Sequence, residues 1–411
     1  MIKKAISGCL IIIFMFISLI TVPVFGATNE DSGYNATTVM KIMDKTNVMN
    51  LKAKGSVLID GASGTVLVEK NSHEKLPLAS VTKIMSMLLI MEAIDSGKIS
   101  FDTKVKVSDH SYSMGGSQVW LEPGEVFTVD ELLKAVAIHS ANDATVALAE
   151  AVAGSEDTFV ASMNEKAREL GMNDSNFLDC SGLTDEGHFS SAYDVALMSR
   201  ELLTKHPAII DYTKTWHALF RDNVPGKKPV SLDNTNKLVR FYDGTIGLKT
   251  GFTSKSGHCL SAAAIRNNQL LISVVLGEPD SNTRFAESRK LLDYGFANFE
   301  TTQVNSKGEE VQTVEVKKGL QSNVNAIYKD DVKLLLKKGE KGKIDRVVNI
   351  DANIVAPVKA GQKIGEVVYK MSDNEIGKAE LVASNDVQRA SFIRLFFRMV
   401  MDWFDLGRTM A

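Results

Sequence analysis

A serine and a lysine stand three residues apart where a polar segment of this chain runs into a strongly apolar one. The stretch is Leu76-Pro-Leu-Ala-Ser80-Val-Thr-Lys83, and the apolar block 84–94 follows it directly. The block predicts a buried helix, and the spacing places the Ser80 hydroxyl and the Lys83 amine on one face of it, about a turn apart. The two side chains can therefore share one proton.

A serine beside a buried lysine is typical of nucleophilic catalysis. A free lysine, with a pKa of ~10.4, cannot take the serine proton at neutral pH, but an amine desolvated by a buried helix can. We therefore predict Ser80 as a nucleophile and Lys83 as its base. The same spacing recurs at Ser72 and Lys75, in a polar run with no apolar block behind it, which we expect to be a solvated loop. The spacing alone is thus weak evidence.

Composition limits the classes of protein that need to be considered. The chain has 411 residues, of which 44% are hydrophobic and 24% charged, which predicts a globular protein of two or three domains. A net charge of −3 gives no basic surface for nucleic acid, so no such partner is expected. The histidines and cysteines lack ligand spacing, so we predict no metal and no cofactor. Cys180 and Cys259 could form one disulfide, but two buried thiols are favoured.

The N-terminus has the pattern of a secretory signal. Lys3 and Lys4 precede an apolar run at 10–20 and small residues up to Gly26. We predict that residues 1–26 are a signal peptide and that the mature protein is exported.

The order of helix and strand patterns predicts an α+β fold. A hairpin at 55–69 precedes the Ser80 helix, a largely helical region follows from about 102 to 205, and three strand patterns lie between 243 and 276. A helix from Arg284 to Phe299 closes this part. The arrangement predicts an antiparallel sheet with a helical subdomain.

Two further short segments could face the Ser80 helix. Ser140 and Asn142 occupy a polar break between two apolar helix patterns, where they could line a cleft or simply cap the second helix. Lys249, Thr250 and Gly251 lie in a strand pattern, where the glycine would let another backbone approach an edge strand and the lysine would attract a carboxylate. A second Lys-Ser-Gly at 255–257 falls in a polar turn, where we expect no binding.

The C-terminal part changes to short alternating segments with turns. These predict a small all-β domain at 301–386, after a catalytic domain at 27–300. The last segment, 387–411, predicts an amphipathic helix: Arg394, Arg398, Asp402 and Asp405 share one narrow face, and aromatic and aliphatic residues cover the rest. We expect this helix to lie on the outer face of the cytoplasmic membrane; packing on the β domain is the alternative.

Ser-x-x-Lys, Ser-x-Asn and Lys-Thr-Gly at 80, 140 and 249, in this order, resemble the motif set of penicillin-binding proteins and related β-lactamases. More specifically, the mature chain resembles the low-molecular-mass penicillin-binding proteins that are serine-type D-alanyl-D-alanine carboxypeptidases. The likeness includes 163–172, Ser181-Gly-Leu183, 234–238 and 356–362. It implies a transpeptidase-like catalytic domain, a peptidoglycan stem peptide ending in D-Ala-D-Ala as substrate, and β-lactam antibiotics as covalent inhibitors.

The resemblance also implies roles for the motif residues. Ser140 would relay a proton to the departing D-alanine, and Asn142 would orient Lys83. Lys249 and Thr250 would hold the substrate carboxylate. Gly251 is a further implied site residue. The backbone N–H of Phe252 would join that of Ser80 in an oxyanion hole. Arg284 would either lie near the substrate carboxylate or act as a structural helix cap. Phe252 stands where some family members have histidine; because the role is carried by the backbone N–H, little effect on the chemistry and some effect on substrate preference are expected.

Two other functions remain open. A serine β-lactamase would share the fold and the acyl-enzyme, although the β domain and the amphipathic tail favour a cell-wall enzyme. A catalytically silent wall-binding protein is the other alternative. It would explain the sequence better if Ser80, Lys83 or Lys249 were replaced, and all three are present.

Overall fold

The computed structural model describes residues 49–184, 186–222, 226–339, 343–371 and 374–409, with side chains as far as Met401. The predicted signal peptide, 1–26, lies outside this range. The described strands up to residue 280 are β1 (Gly55–Asp60), β2 (Val66–Lys70), β3 (Lys104–Lys106), β4 (Val126–Thr128), β5 (His217–Phe220), β6 (Val230–Asp233), β7 (Thr245–Thr253), β8 (Gly257–Arg266) and β9 (Gln269–Glu278).

The described α-helices up to residue 300 are α1 (Lys83–Asp95), α2 (Asp109–Tyr112), α3 (Val129–Lys134), α4 (Asn142–Ala153), α5 (Glu156–Glu169), α6 (Ala192–Lys205), α7 (Ile210–Thr213), α8 (Leu238–Phe241) and α9 (Ser281–Asn298). Short 3₁₀ turns span Ala79–Thr82 and Pro207–Ile209, and a π-helix spans Ala135–His139.

A five-stranded antiparallel sheet organises the first domain, in the order β2-β1-β9-β8-β7. Helices cover both faces of the sheet, and successive side chains of β1 point alternately to the core on each face. Val57 and Ile59 join the core that contains α1 and α6, whereas Leu58 joins the core against α9. This confirms the predicted α+β fold, with β7 at the edge of the sheet.

The buried helix predicted from the apolar block is α1, whose residues from Lys83 to Met91 are all buried. The pattern from Val129 to His139 predicted one continuous helix and is divided instead. α3 begins with a capping box between Thr128 and Glu131. From Ala135 to His139 the helix continues as a wider π-helix. The region between 102 and 128 also contains an antiparallel strand pair, β3 and β4, where the sequence indicated mainly helix.

The second domain is all β, as predicted. Its described strands are β10 (Phe299–Asn305), β11 (Glu310–Glu315), β12 (Asn323–Tyr328), β13 (Val332–Lys337), β14 (Ile344–Ile350), β15 (Lys363–Met371) and β16 (Asn374–Ala383). They form a pair, β10-β13, and a five-stranded sheet, β11-β12-β16-β15-β14. The sequence patterns did not predict β10, which follows α9 without a break. They also did not predict β12, in which the buried residues Val324, Ala326 and Tyr328 alternate with more exposed ones, two of them asparagines.

The last helix, α10, spans Phe392–Thr409 and begins five residues later than predicted. Val387 pairs with Val358 and is buried in the β domain, so 387–390 belong to that domain's packing. Large apolar side chains of α10 are exposed: Phe392, Ile393, Phe396, Phe397, Met399 and Met401. Across the described residues, no helix combines the length and apolar character needed to cross a membrane.

Candidate active site

Ser80 and Lys83 meet where the chain turns from the 3₁₀ turn Ala79–Thr82 into α1. Nζ of Lys83 lies 2.9 Å from Oγ of Ser80. Ser80 is half-buried, whereas Lys83 is fully buried. Ala79, with φ of +47°, adopts a left-handed conformation directly before the serine. A partly accessible hydroxyl thus contacts an amine that is removed from water.

Three oxygen atoms surround the Lys83 amine. Besides Ser80, it donates to Oδ1 of Asn142 at 2.6 Å and to the carbonyl of Ser181 at 2.7 Å. Burial disfavours the charged form and lowers the pKa of Lys83 to about 8. About a tenth of the amine is therefore neutral at pH 7, far more than for an exposed lysine, and the neutral form can act as a general base.

Ser140 and Asn142 do not cap the following helix with their side chains. The N-cap of α4 is Ala141, and it makes no side-chain cap hydrogen bond. Asn142 instead contacts Lys83, and its Nδ2 donates to the carbonyl of Gly115 at 2.7 Å. Ser140 follows the π-helix in a left-handed conformation, with φ of +68°, and is buried. The break therefore turns Asn142 inward, and the capping alternative is wrong.

The edge strand β7 carries Lys249, Thr250 and Gly251. Lys249 is completely buried, and its Nζ donates to the carbonyl of Thr250 at 3.0 Å. Burial lowers the pKa of Lys249 well below its usual value, and the positive charges of Lys83 and Arg284 lower it further. The basic groups of Lys249 and Arg284 at this edge of the sheet suit the binding of an anionic ligand.

Gly251 lies against the turn that carries the serine. A Cβ at this position would come 2.4 Å from the carbonyl oxygen of Leu78 and 3.1 Å from the amide nitrogen of Ser80. The absence of a side chain therefore lets β7 and the nucleophile turn approach each other, as predicted for an edge-strand glycine.

A threonine pair links β7 to the Ser140 segment. Oγ1 of Thr250 donates to Oγ1 of Thr235 at 2.7 Å, and the Thr235 amide donates to the carbonyl of Ile138 in the π-helix at 3.3 Å. The Lys-Thr-Gly strand is therefore linked, through Thr235, to the π-helix that leads into Ser140.

Phe252 and Arg284 flank Gly251. The Phe252 side chain is 59% exposed and stacks on His258, with ring centroids 4.3 Å apart. Nη1 of Arg284 donates to the Gly251 carbonyl at 3.1 Å. Asp280 is the residue that caps α9, so Arg284 is not the helix cap considered above.

The second Ser-x-x-Lys, at Ser72 and Lys75, and the second Lys-Ser-Gly, at 255–257, make none of these contacts, and one expectation about them is wrong. Ser72 is buried. Its hydroxyl donates to Glu69, and its carbonyl accepts from the amide of Tyr193 in α6. The other three residues of that motif, His73, Glu74 and Lys75, are exposed to solvent as expected. Ser256 and Gly257 lie where β7 turns into β8, as expected.

Cys180 and Cys259 are both buried and unbonded, as favoured.

Sequence analysis missed two carboxylates beside the site. Asp143 accepts hydrogen bonds from the amides of Val119 and Leu121, in the loop that contacts Asn142. Asp179 binds the amides that follow it, in the segment that contacts Lys83. Asp143 directly follows Asn142 of the Ser-x-Asn motif, and this position next to the motif could have indicated that Asp143 lies beside the site.

Two family models match this chain. Residues 41–280 match the family model described as D-alanyl-D-alanine carboxypeptidase, and residues 299–389 match that of the penicillin-binding protein 5 C-terminal domain. The chain is 44% identical, over 335 residues, to the D-alanyl-D-alanine carboxypeptidase DacF of Bacillus subtilis, a match that covers 81% of this chain and 85% of the relative.

Solved structures are similar to most or to part of the chain. Penicillin-binding protein 5 of Haemophilus influenzae is 32% identical with a TM-score of 0.72, covering 83% of this chain and 98% of that one. Penicillin-binding protein D2 of Listeria monocytogenes, solved with bound ampicillin, is 30% identical with a TM-score of 0.54, covering 60% of this chain and 98% of that one. The chain therefore belongs to the D-alanyl-D-alanine carboxypeptidase family of low-molecular-mass penicillin-binding proteins.

Proposed function

We propose that the protein is a serine-type D-Ala-D-Ala carboxypeptidase that removes the terminal D-alanine from peptidoglycan stem peptides. The observation that carries the proposal is the 2.9 Å contact between Oγ of Ser80 and the fully buried amine of Lys83. Neutral Lys83 takes the serine proton as Oγ attacks the penultimate carbonyl, and an acyl-enzyme forms on Ser80.

The other site residues have complementary roles in this proposal. Backbone N–H groups of Ser80 and Phe252 stabilise the developing oxyanion, a contribution of roughly 3–4 kcal/mol per donor. Lys249 and Thr250 hold the terminal carboxylate, and Arg284 adds positive charge while it holds the Gly251 carbonyl.

Proton transfer completes the acyl-transfer step. Ser140 relays a proton to the leaving D-alanine amine, and Asn142 keeps the Lys83 amine directed toward Ser80. Water then hydrolyses the ester and regenerates the serine. A β-lactam enters the same path but leaves a slowly hydrolysed ester on Ser80.

Release of D-alanine from a diacetyl-Lys-D-Ala-D-Ala peptide tests the activity. The protein should release D-alanine steadily, and Ser80→Ala should abolish the release while the fold is retained. With nitrocefin, a single slow burst is expected. Sustained rapid nitrocefin hydrolysis would favour the β-lactamase, and folded protein that neither releases D-alanine nor binds penicillin would favour the silent wall-binding protein.

Location belongs to the same proposal. Residues 1–26 direct export, the catalytic domain at 27–300 acts on the wall, and the β domain at 301–386 separates it from the cytoplasmic membrane. α10 lies on the outer face of that membrane, which is supported by its exposed phenylalanines, Phe392, Phe396 and Phe397.

A further inference from the structure

The segment after α5 contains a carboxylate with an unusual number of backbone partners. Oδ1 of Asp179 accepts hydrogen bonds from the amides of Ser181 at 2.7 Å, Gly182 at 2.5 Å and Leu183 at 3.3 Å, and Oδ2 accepts from Thr184 at 2.7 Å. One side chain thus fixes four consecutive amides, and with them the direction of the carbonyl groups between them.

One of those carbonyl groups belongs to the site. The Ser181 carbonyl accepts from Nζ of Lys83 at 2.7 Å, although the two residues are 98 positions apart. The next residue, Gly182, has φ of +81°, and a Cβ there would come 1.9 Å from the carbonyl oxygen of Ala79. The segment held by Asp179 is therefore packed directly against the turn that carries Ser80.

A second contact holds the segment from its other side. His188 lies 3.8 Å from the Asp179 carboxylate, and its Nε2 is 2.8 Å from Oγ1 of Thr82, the residue before Lys83. Oγ1 of Thr82 in turn donates to the carbonyl of Ala79. Asp179, His188 and Thr82 thus connect the segment to both ends of the nucleophile turn.

We propose that Asp179 is a positioning residue for the acyl-transfer reaction: it fixes the Ser181 carbonyl on the Lys83 amine and places a negative charge beside that amine. The proposal rests on the proposed function, because it assigns Lys83 as the base.

The charges around Lys83 support this role. Asp179, Asp143 and the Cys180 thiol act on the amine, and Lys249 is the basic group beside it. Burial raises the pKa of Cys180 well above 9, so the thiol is neutral. Negative charge near pH 7 therefore comes from the two aspartates.

Asp179 is charged throughout the useful pH range. Burial opposes its ionisation, but His188 and the backbone donors of Thr184 and Gly182 outweigh that effect and lower the pKa of Asp179 to about 2. A negative charge beside a buried amine raises the amine's pKa, so loss of the charge shifts proton loss from Lys83 to lower pH.

The test is the pH profile of penicillin acylation in Asp179→Asn. The rate should be reduced because the segment is held less firmly, and the midpoint of its ascending limb should move to lower pH by about 0.5 to 1 unit. Asp179→Glu, which keeps the charge, should lose rate without this shift.

Glu156→Gln is the matched control. Oε1 of Glu156 accepts from the Cys180 amide and so ties down the same segment, but its charge is not among those acting on Lys83. Its midpoint should equal that of the wild type. An unshifted midpoint in Asp179→Asn, or an equal shift in Glu156→Gln, would overturn the proposal.

Asp179→Ser is a second neutral variant, because a serine hydroxyl can still accept from nearby amides. If both neutral variants fail to fold, the role is structural and the proposal is overturned. Absence of penicillin labelling in the wild type would instead contradict the proposed function, so the two failures are distinguishable.

Discussion

Gly251 and Ser80 approach so closely that a Cβ on the glycine would lie 3.1 Å from the serine amide nitrogen. That amide is one of the two proposed oxyanion donors, and the other, on Phe252, follows Gly251 in β7. The separation between strand and turn therefore sets the distance between the two donors.

Replacement of Gly251 by alanine should separate the donors. The methyl group would meet the Leu78 carbonyl oxygen at 2.4 Å, so β7 or the turn must shift. Acylation by fluorescent penicillin should slow by about 100-fold, the order expected for one lost oxyanion donor. Gly115→Ala is the control, because its Cβ meets no heavy atom within 4 Å. Equal rates in the two variants would contradict this explanation.

Lys249 should contribute to substrate binding rather than to stability. It is completely buried beside the positive Lys83 and Arg284, so Lys249→Met keeps the side-chain volume and removes a charge repulsion. Acylation should fall by about two orders of magnitude, while the melting temperature at pH 7 should not fall. Thermal unfolding and penicillin labelling measure the two effects. A strongly lowered melting temperature with normal labelling would make the lysine structural.

The buried Glu278 should make stability depend on pH. The pKa of Glu278 rises from 4.5 in the unfolded chain to about 9 in the folded protein. Burial is the larger cause, and the neighbouring Glu287 is the second. The folded protein therefore keeps a proton that the unfolded chain loses. Its stability is unaffected by this group below pH 4.5 and decreases as pH rises from 4.5 to 9.

Glu278→Gln removes that dependence. At pH 7 the variant should be more stable than the wild type by about 3 kcal/mol, whereas at pH 4 the two should be equal. Urea unfolding at both pH values measures the difference. Glu310→Gln, at an exposed position of β11, should change neither value. A destabilised Glu278→Gln at pH 7 would show that the carboxyl is ionised in the folded protein.

The exposed face of α10 should be required for membrane association. Deletion of residues 391–411 leaves Val387 and Ala390 in the β domain and should release the mature protein from anionic lipid vesicles without loss of activity on soluble peptide. Phe396→Glu with Phe397→Glu should act in the same way, and Arg394→Ala should not. A truncated protein that still floats with the vesicles would disprove the anchor.

Local sequence patterns predicted those parts of the site that depend on neighbours along the chain. Ser80 and Lys83 are three residues apart on one turn, and the apolar block behind them already implied the burial that lowers the pKa of Lys83. The glycine of Lys-Thr-Gly indicated a close approach of another backbone to β7, and β7 is an edge strand of the sheet.

Other parts depend on contacts between distant residues, which no local pattern indicates. The Ser181 carbonyl reaches Lys83 across 98 positions, and Asp179 acts only through that contact. The π-helix before Ser140 has the apolar spacing of an ordinary helix, so its widening could not be predicted. Ser72 was expected to be solvated because its neighbours are polar, but packing against α6 buries it.

Mapping of the covalent adduct tests the central claim most directly. The mature protein is labelled with penicillin, digested and analysed by mass spectrometry, with Ser80→Ala labelled in parallel. The account predicts one penicilloyl group on the peptide that contains Ser80 and no labelling of the variant. An adduct on Ser72 or Ser140, or undiminished labelling of Ser80→Ala, would contradict it.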